Sequence, residues 1–315
     1  MTQRRAVALQ LCPFSADLEA ALRARFEVIP WFRLDDAGRS GWLRERAGEV
    51  QAVVTGGHIG CGNALMEALP ALGIIAVNGV GVDKVDLTLA RRRGVRVATT
   101  PGALTQDVAD LAVGLIISLL RGIPAADAYV RGGNWTQGDR PLARKVSGRR
   151  FGIVGLGHIG SALAARLAPF GPVAYCGPHP KDVPFGYHAD ALSLARACDI
   201  LILTCPASPA TRHLANVAVF EALGPQGYLV NVARGSLVDE AALIAALQSG
   251  RLGGAALDVF ADEPDVPEAL RLCPNVVLTP HMASATVETR ARMAELVLLN
   301  LDAFLHGAPE PVINP

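Results

Sequence analysis

Three residues of this chain could do chemistry together: Arg234 in VNVARGSLVDE, Glu263 in DVFADEP and His281 in TPHMASAT. Each follows an apolar run that reads as a buried strand, and parallel strands ending at one sheet edge deliver such residues to a shared crevice. A guanidinium offers a planar fork for a carboxylate. An imidazole exchanges a proton near neutrality. A carboxylate beside that imidazole fixes its tautomer and favours the protonated ring. Alone, each residue has a plainer reading as a polar strand end, a salt bridge or a solvated turn. The joint pattern carries the argument.

Upstream, Phe151-Gly-Ile-Val-Gly-Leu-Gly-His-Ile-Gly160 reads as a strand, a glycine turn and the start of a helix. Gly155 permits the tight turn, Gly157 lets backbone approach a pyrophosphate, and Gly160 lets the helix pack on the sheet. The helix N-terminus then offers unpaired N–H groups to phosphates. An NAD-selective site normally has Asp or Glu about 20 residues further on. Here the second strand's tail reads Cys-Gly177-Pro-His179-Pro-Lys181, with glycine where the acid belongs. A 2′-phosphate would meet no repulsion there, and His179 and Lys181 could attract it. We therefore expect NADP(H), with NAD(H) as the alternative. Asp258 is a further carboxylate, expected near the nicotinamide carboxamide or ribose. Acid, anion clamp and dinucleotide loop together suit hydride transfer to a 2-keto acid.

The elements that must position these groups are legible as rhythm. Strands are expected at Ala6–Leu11, Ala52–Thr55, Ile74–Asn78 and Val95–Thr99, with helices at Ala16–Arg25, Ala64–Ala68 and Leu87–Arg93 between them. Such alternation predicts a parallel sheet covered on both faces. Gln106–Arg131 is so apolar that it predicts a helix buried on most of its circumference. A second alternation has strands at Phe151–Val154, Val173–Cys176, Asp199–Cys205, Tyr228–Val232, Ala255–Phe260 and Val276–Thr279, the rhythm of a doubly wound nucleotide-binding domain. The last helix, Val287–Leu305, is expected to return to the first domain. That predicts domains of 1–99 with 285–315 and of 100–284.

With 315 residues the chain fits two domains, and 51% hydrophobic against 18% charged residues describes a globular protein. A formal net charge of zero gives no argument for nucleic acid or an anionic membrane. No segment reaches the apolar length of a membrane span. Six scattered cysteines without ligand spacing read as reduced thiols in a cytoplasmic protein, and no metal site is expected.

At these residues the chain resembles the D-isomer-specific 2-hydroxyacid dehydrogenase family, nearest its hydroxyphenylpyruvate, hydroxypyruvate and glyoxylate reductase branch. Asn78-Gly-Val-Gly-Val-Asp-Lys-Val-Asp86, Gln106-Asp-Val-Ala-Asp-Leu-Ala112 and Tyr129-Val-Arg-Gly-Gly-Asn-Trp135 look like that branch, as do Leu223–Gly227 and Gly250–Gly254. The resemblance implies an α/β protein whose Rossmann-type cofactor domain is inserted in a flavodoxin-like substrate domain, assembled as a homodimer. It implies Arg234, Glu263 and His281 as the catalytic set, with Gly57, His58 and Gly81 at the substrate carboxylate. It further implies His158, Ile159, Cys205, Pro206, Val232 and Ala233 at the dinucleotide. The substrate would be a small 2-keto acid of glyoxylate, hydroxypyruvate or phenylpyruvate type. The chain stops soon after its last helix, so an appended regulatory domain is not expected, and Glu263 stands where formate dehydrogenases have glutamine. Two rival readings are a dinucleotide-sensing interaction protein and a dehydrogenase of a phosphorylated hydroxy acid. The second would want basic residues near His58, where the sequence offers glycines.

Overall fold

The computed structural model describes residues 5–307. The first stretch of chain runs β1 (Val7–Gln10), α1 (Ala16–Arg25), β2 (Glu27–Pro30), α2 (Asp36–Arg46), β3 (Val50–Gly56), α3 (Asn63–Ala68), β4 (Ile74–Asn78), α4 (Leu87–Arg92) and β5 (Arg96–Ala98). Next come α5 (Thr105–Arg121), α6 (Ile123–Arg131), β6 (Phe151–Val154), α7 (His158–Leu167), β7 (Val173–Cys176), β8 (Gly186–His188), α8 (Ala191–Ala197) and β9 (Ile200–Leu203). The remainder is α9 (Val217–Leu223), β10 (Tyr228–Asn231), α10 (Glu240–Gln248), β11 (Gly254–Leu257), α11 (Glu268–Arg271), β12 (Val276–Leu278) and α12 (Val287–Leu305). Two compact units result: one ends at Leu104 and resumes at Ala285, the other is Thr105–Ser284.

In the first unit five parallel strands lie in the order β2-β1-β3-β4-β5, the flavodoxin-like winding. Both faces of this sheet are dry. Leu9, Val53, Ile75 and Val77 pack on one side with Met66, Leu69 and Leu89. Ala8, Val54, Ile74 and Ala76 pack on the other with Leu18, Leu22, Val297 and Leu301. The last two belong to α12, which returns from the end of the chain. Asn300 on that helix donates to the Thr99 carbonyl (3.1 Å), and Asp302 pairs with Arg25 (2.7 Å).

In the second unit seven parallel strands lie in the order β12-β11-β10-β9-β6-β7-β8. The six strands β6 to β11 have Rossmann connectivity, with β12 added beside β11, and the winding reverses between β6 and β9. Here the sequence reading needs two corrections. It missed β8, whose Gly-Tyr-His is too short and too exposed to show a pattern. It also ran one helix from 106 to 131, whereas α5 and α6 meet at a 61° bend. Gly122 sits in the left-handed region at the break (φ +60°), and Pro124 follows at the start of α6, where its missing N–H costs nothing. As expected, α5 is covered on most of its circumference: Val108, Ala109, Ala112, Leu115, Ile116 and Leu120 are buried, and only Gln106, Asp110, Gly114 and Arg121 are exposed. No single helix among the described residues is long and apolar enough to cross a membrane. All six cysteines are buried free thiols.

Candidate active site

The glycine loop is shaped by two close approaches. Gly155 has φ +96°, and a Cβ there would stand 2.7 Å from the Cys205 Cα. At Gly160 a Cβ would collide with the Gly155 carbonyl oxygen, so only glycine lets α7 come this near the loop. Gly157 differs from both, because nothing lies within 4 Å of its missing Cβ. It caps α7 without a side-chain hydrogen bond, and no acidic residue occupies the first turn, which His158 and Ile159 open. That end therefore keeps the donors and dipole that suit a phosphate. Thr204 braces the loop from the end of β9, its hydroxyl donating to the Gly155 carbonyl (2.7 Å). Cys205 is buried against Gly155, and the Pro206 carbonyl accepts from the Thr211 hydroxyl (3.0 Å). Burial pushes the Cys205 thiol up to about 11, so it serves as packing.

The tail of β7 carries the residues expected to select the coenzyme. A Cβ at Gly177 would meet nothing within 4 Å, so the position has room for a larger side chain but holds none. Lys181 is anchored twice. Its backbone N–H donates to the buried Tyr175 hydroxyl (2.6 Å), and its Nζ donates to the Leu156 carbonyl (2.6 Å) within the glycine loop. A positive charge is thus held at the loop that would receive the dinucleotide, with exposed His179 two residues before it. The structure accommodates a dinucleotide at this edge: a glycine cradle, an unpaired helix end and a lysine converge there.

Arg234, Glu263 and His281 come together at the same sheet's carboxyl edge. Asn231, fully buried at the end of β10, accepts from the Ala233 N–H (3.0 Å) and donates to the Arg234 carbonyl (2.9 Å). This clamp holds the turn after buried Val232 and sets the backbone of Arg234. The next residue, Gly235, lies so tightly on the Phe260 carbonyl that a Cβ would overlap it. That contact brings the Arg234 turn onto the 260–263 loop. There Glu263 is held by one oxygen, which accepts from the Phe260 N–H (3.0 Å), while its other oxygen faces His281 Nδ1 at 2.6 Å. An ionised Glu263 accepting from Nδ1–H leaves Nε2 as the nitrogen that would exchange a proton.

The backbone of His281 is in the left-handed region (φ +50°), unusual for a residue with a side chain. Asp258 holds it there. Fully buried, this carboxylate accepts from the Thr279 hydroxyl (2.6 Å) and from the Met282 and Ala283 N–H groups (2.9 and 3.0 Å). Its own carbonyl takes the His281 N–H (2.8 Å). Expected beside the nicotinamide, Asp258 has the further task of shaping the His281 turn. Asn231 escaped the sequence reading altogether, although a polar residue inside the apolar run Tyr228–Val232 was the signal that could have found it.

In the first unit the candidate carboxylate residues follow β3 and β4. A Cβ at Gly79 would stand 3.5 Å from the Gly57 N, so the two loops touch. The turn after β3 is closed by the Ile59 and Gly60 N–H groups on the Gly56 carbonyl. The N–H groups of Gly57, Val80 and Gly81 donate to no protein acceptor among the described residues. The imidazole of His58 folds back over Gly56.

Residues 113–283 match the family model described as the NAD-binding domain of D-isomer-specific 2-hydroxyacid dehydrogenases. The chain is 46% identical over 303 residues to a hydroxyphenylpyruvate reductase of Plectranthus scutellarioides, covering 96% of each. It is 42% identical over 298 residues to a 2-ketogluconate reductase of Gluconobacter oxydans, covering 94% of each. It also superposes on an NADPH-dependent glyoxylate/hydroxypyruvate reductase of Sinorhizobium meliloti, solved with NADP and malonate. That match has a TM-score of 0.87 and 40% identity, and covers 96% of this chain and 94% of the other. By sequence across nearly its whole length, and by fold, the chain belongs to the D-isomer-specific 2-hydroxyacid dehydrogenase family.

Proposed function

We propose that this protein reduces small 2-keto acids to D-2-hydroxy acids with NADPH, NADH being the weaker donor. The observation that carries the reading is the 2.6 Å contact of His281 with Glu263, beside the clamped Arg234 turn. Such a set can bind a keto acid's anion and give a proton to its carbonyl oxygen.

When bound, the nicotinamide supplies the hydride. The chain's residues do the rest. The Arg234 guanidinium binds the substrate and polarises its carbonyl with donors that grow in strength as negative charge develops. His281 gives its Nε2 proton to the forming alkoxide, and Glu263 holds the ring so that this nitrogen is presented. The open amides of Gly57, Val80 and Gly81, together with His58, receive the substrate carboxylate. Gly155, Gly157 and Gly160, with the N–H groups at His158 and Ile159, take the pyrophosphate. Cys205, Pro206, Val232 and Ala233 line the dinucleotide's course. Lys181 and His179 favour a 2′-phosphate where Gly177 offers no carboxylate to repel it. The S. meliloti relative described as NADPH-dependent supports this preference.

Two further parts of the reading are a homodimer and a cytoplasmic location. The dimer is supported by apolar side chains that the chain leaves on its surface along α6 and beyond: Ile123, Val130, Trp135 and the fully exposed Leu142. The location is supported by six unpaired thiols.

The test is oxidation of NADPH and NADH, each in parallel, with glyoxylate, hydroxypyruvate and hydroxyphenylpyruvate. Turnover with NADPH ahead supports the proposal. Turnover with NADH ahead keeps the chemistry and overturns the coenzyme assignment, and silence with every pair overturns both.

A further inference from the structure

We infer that Tyr187, on edge strand β8, is a positioning residue for the coenzyme: its hydroxyl holds the Gly177–Lys181 loop in the form that receives a 2′-phosphate. The inference rests on the NADPH reading and names the element that makes it selective.

The placement comes from the pairing of β8 with β7. The short, exposed Gly186-Tyr187-His188 lies at the margin of the seven-stranded sheet, parallel to β7, in a register that sets Tyr187 beside Tyr175. Side chains level with each other on neighbouring strands stand on one face. Here the two rings pack with centroids 5.5 Å apart and planes tilted by 58°, an offset contact of the kind aromatic pairs favour. Tyr175 is fully buried, whereas Tyr187 is 38% exposed.

Both hydroxyls hold the same loop. Tyr187 Oη donates to the Gly177 carbonyl (3.2 Å), and the Tyr175 hydroxyl accepts from the Lys181 N–H (2.6 Å). The first and last residues of Gly-Pro-His-Pro-Lys are thereby tied to the sheet edge by the tyrosine pair. Between them, Pro178 and Pro180 fix their own φ angles and restrict the residues before them, Gly177 and His179. Lys181 adds a third tie, from Nζ to the Leu156 carbonyl in the glycine loop (2.6 Å).

Packing does not order this loop. Pro178, His179, Pro180 and Lys181 are all exposed, and the connection from β7 to β8 contains no helix. The ties and the prolines do the ordering instead. A loop that must be ordered by its ligand costs affinity, and a loop fixed beforehand avoids that cost. The ligand that gains is the one whose extra group lies against His179 and Lys181, the 2′-phosphate. A coenzyme with only a hydroxyl there depends on the loop less. Tyr187 acts through the Gly177 carbonyl rather than on the phosphate itself.

The experiment uses Tyr187→Phe, which removes the hydroxyl and keeps the ring against Tyr175, so the melting temperature should stay near that of wild type. Both proteins are titrated with NADPH, NADH, adenosine 2′,5′-bisphosphate and 5′-AMP, and kcat and KM for each coenzyme are measured with a saturating keto acid. The expected result is that NADPH and the bisphosphate bind about threefold to tenfold more weakly, the loss of one hydrogen bond. The kinetic loss should fall in the KM for NADPH, while NADH and 5′-AMP keep their wild-type affinities. Equal weakening of phosphorylated and unphosphorylated ligands would make the tyrosine a structural prop, and unchanged affinities would detach it from the coenzyme. Either result, in an enzyme that prefers NADPH, overturns the inference alone. A wild type that prefers NADH would instead overturn the coenzyme reading beneath it.

Discussion

Replacing His281 with alanine removes the proposed proton donor but leaves the glycine loop and Lys181 intact. The expected outcome is a fall in kcat of about 10²–10⁴-fold with NADPH affinity unchanged, read by steady-state kinetics beside fluorescence titration. A wild-type rate would remove His281 from the chemistry. Glu263→Gln keeps the shape of the 260–263 loop but exchanges an ionised partner of Nδ1 for a neutral one. Its kcat should drop by about tenfold or more, and rates equal to wild type would make Glu263 a loop-closing residue only. Arg234, Glu263 and His281 were legible in the sequence because each sits in a short motif at the end of an apolar run. Asn231 was not, because it hides its polar group inside a strand.

At the scale of elements, the tail of β7 gives the cleanest test of coenzyme choice. Because Gly177 has open space around its missing Cβ, Gly177→Asp should fold normally and place a carboxylate where a ribose hydroxyl would bind. The ratio of kcat/KM for NADPH to that for NADH should fall by about tenfold or more. An unchanged ratio would show that the dinucleotide does not pass this residue. The strands that end at the candidate site, β6, β9, β10, β11 and β12, were all visible as apolar runs, since a strand buried on both faces needs no polar alternation. The elements missed were marginal ones. Strand β2 is a half-buried edge strand ending in Pro30, β8 is three residues long, and α2 buries no side chain and contains two glycines. Periodicity reports burial, and these elements bury too little to be periodic.

At the scale of the whole molecule, acid should loosen the fold in a defined window. Hydrogen bonds from Gln10 and the Phe14 N–H hold the Glu19 carboxyl below its ordinary value. Burial would raise Asp199, but the hydrogen bonds and charge of Arg150 win and keep it low. Both folded-state values lie below the unfolded ones. The stability these groups contribute is therefore complete above the unfolded values near 4 and is lost as pH falls through the lowered ones. Thermal midpoints should be flat above about pH 5 and decline below about pH 4. Asp199→Asn should make that decline shallower, and an identical acid slope in the variant would exclude the pair. The proposed homodimer makes its own prediction. Light scattering should return twice the 33.0 kDa chain mass, and Val130→Glu with Leu142→Glu should shift it toward the monomer. A wild-type monomer would dispose of that assembly.

Because α12 completes the sheet that begins with β1, the two units cannot finish folding in the order in which they leave the ribosome. The first hundred residues emerge with Ala8, Val54 and Ile74 still lacking Val297 and Leu301, and with Arg25 lacking Asp302. The unit built from 105–284 has every strand of its own sheet by then and can close first. A nascent chain arrested before Val287 would hold a finished dinucleotide-binding unit beside a half-naked sheet, the kind of surface a chaperone grips. Helix α12 is thus the latch of the first unit, and synthesis delivers it only after the strands of both sheets.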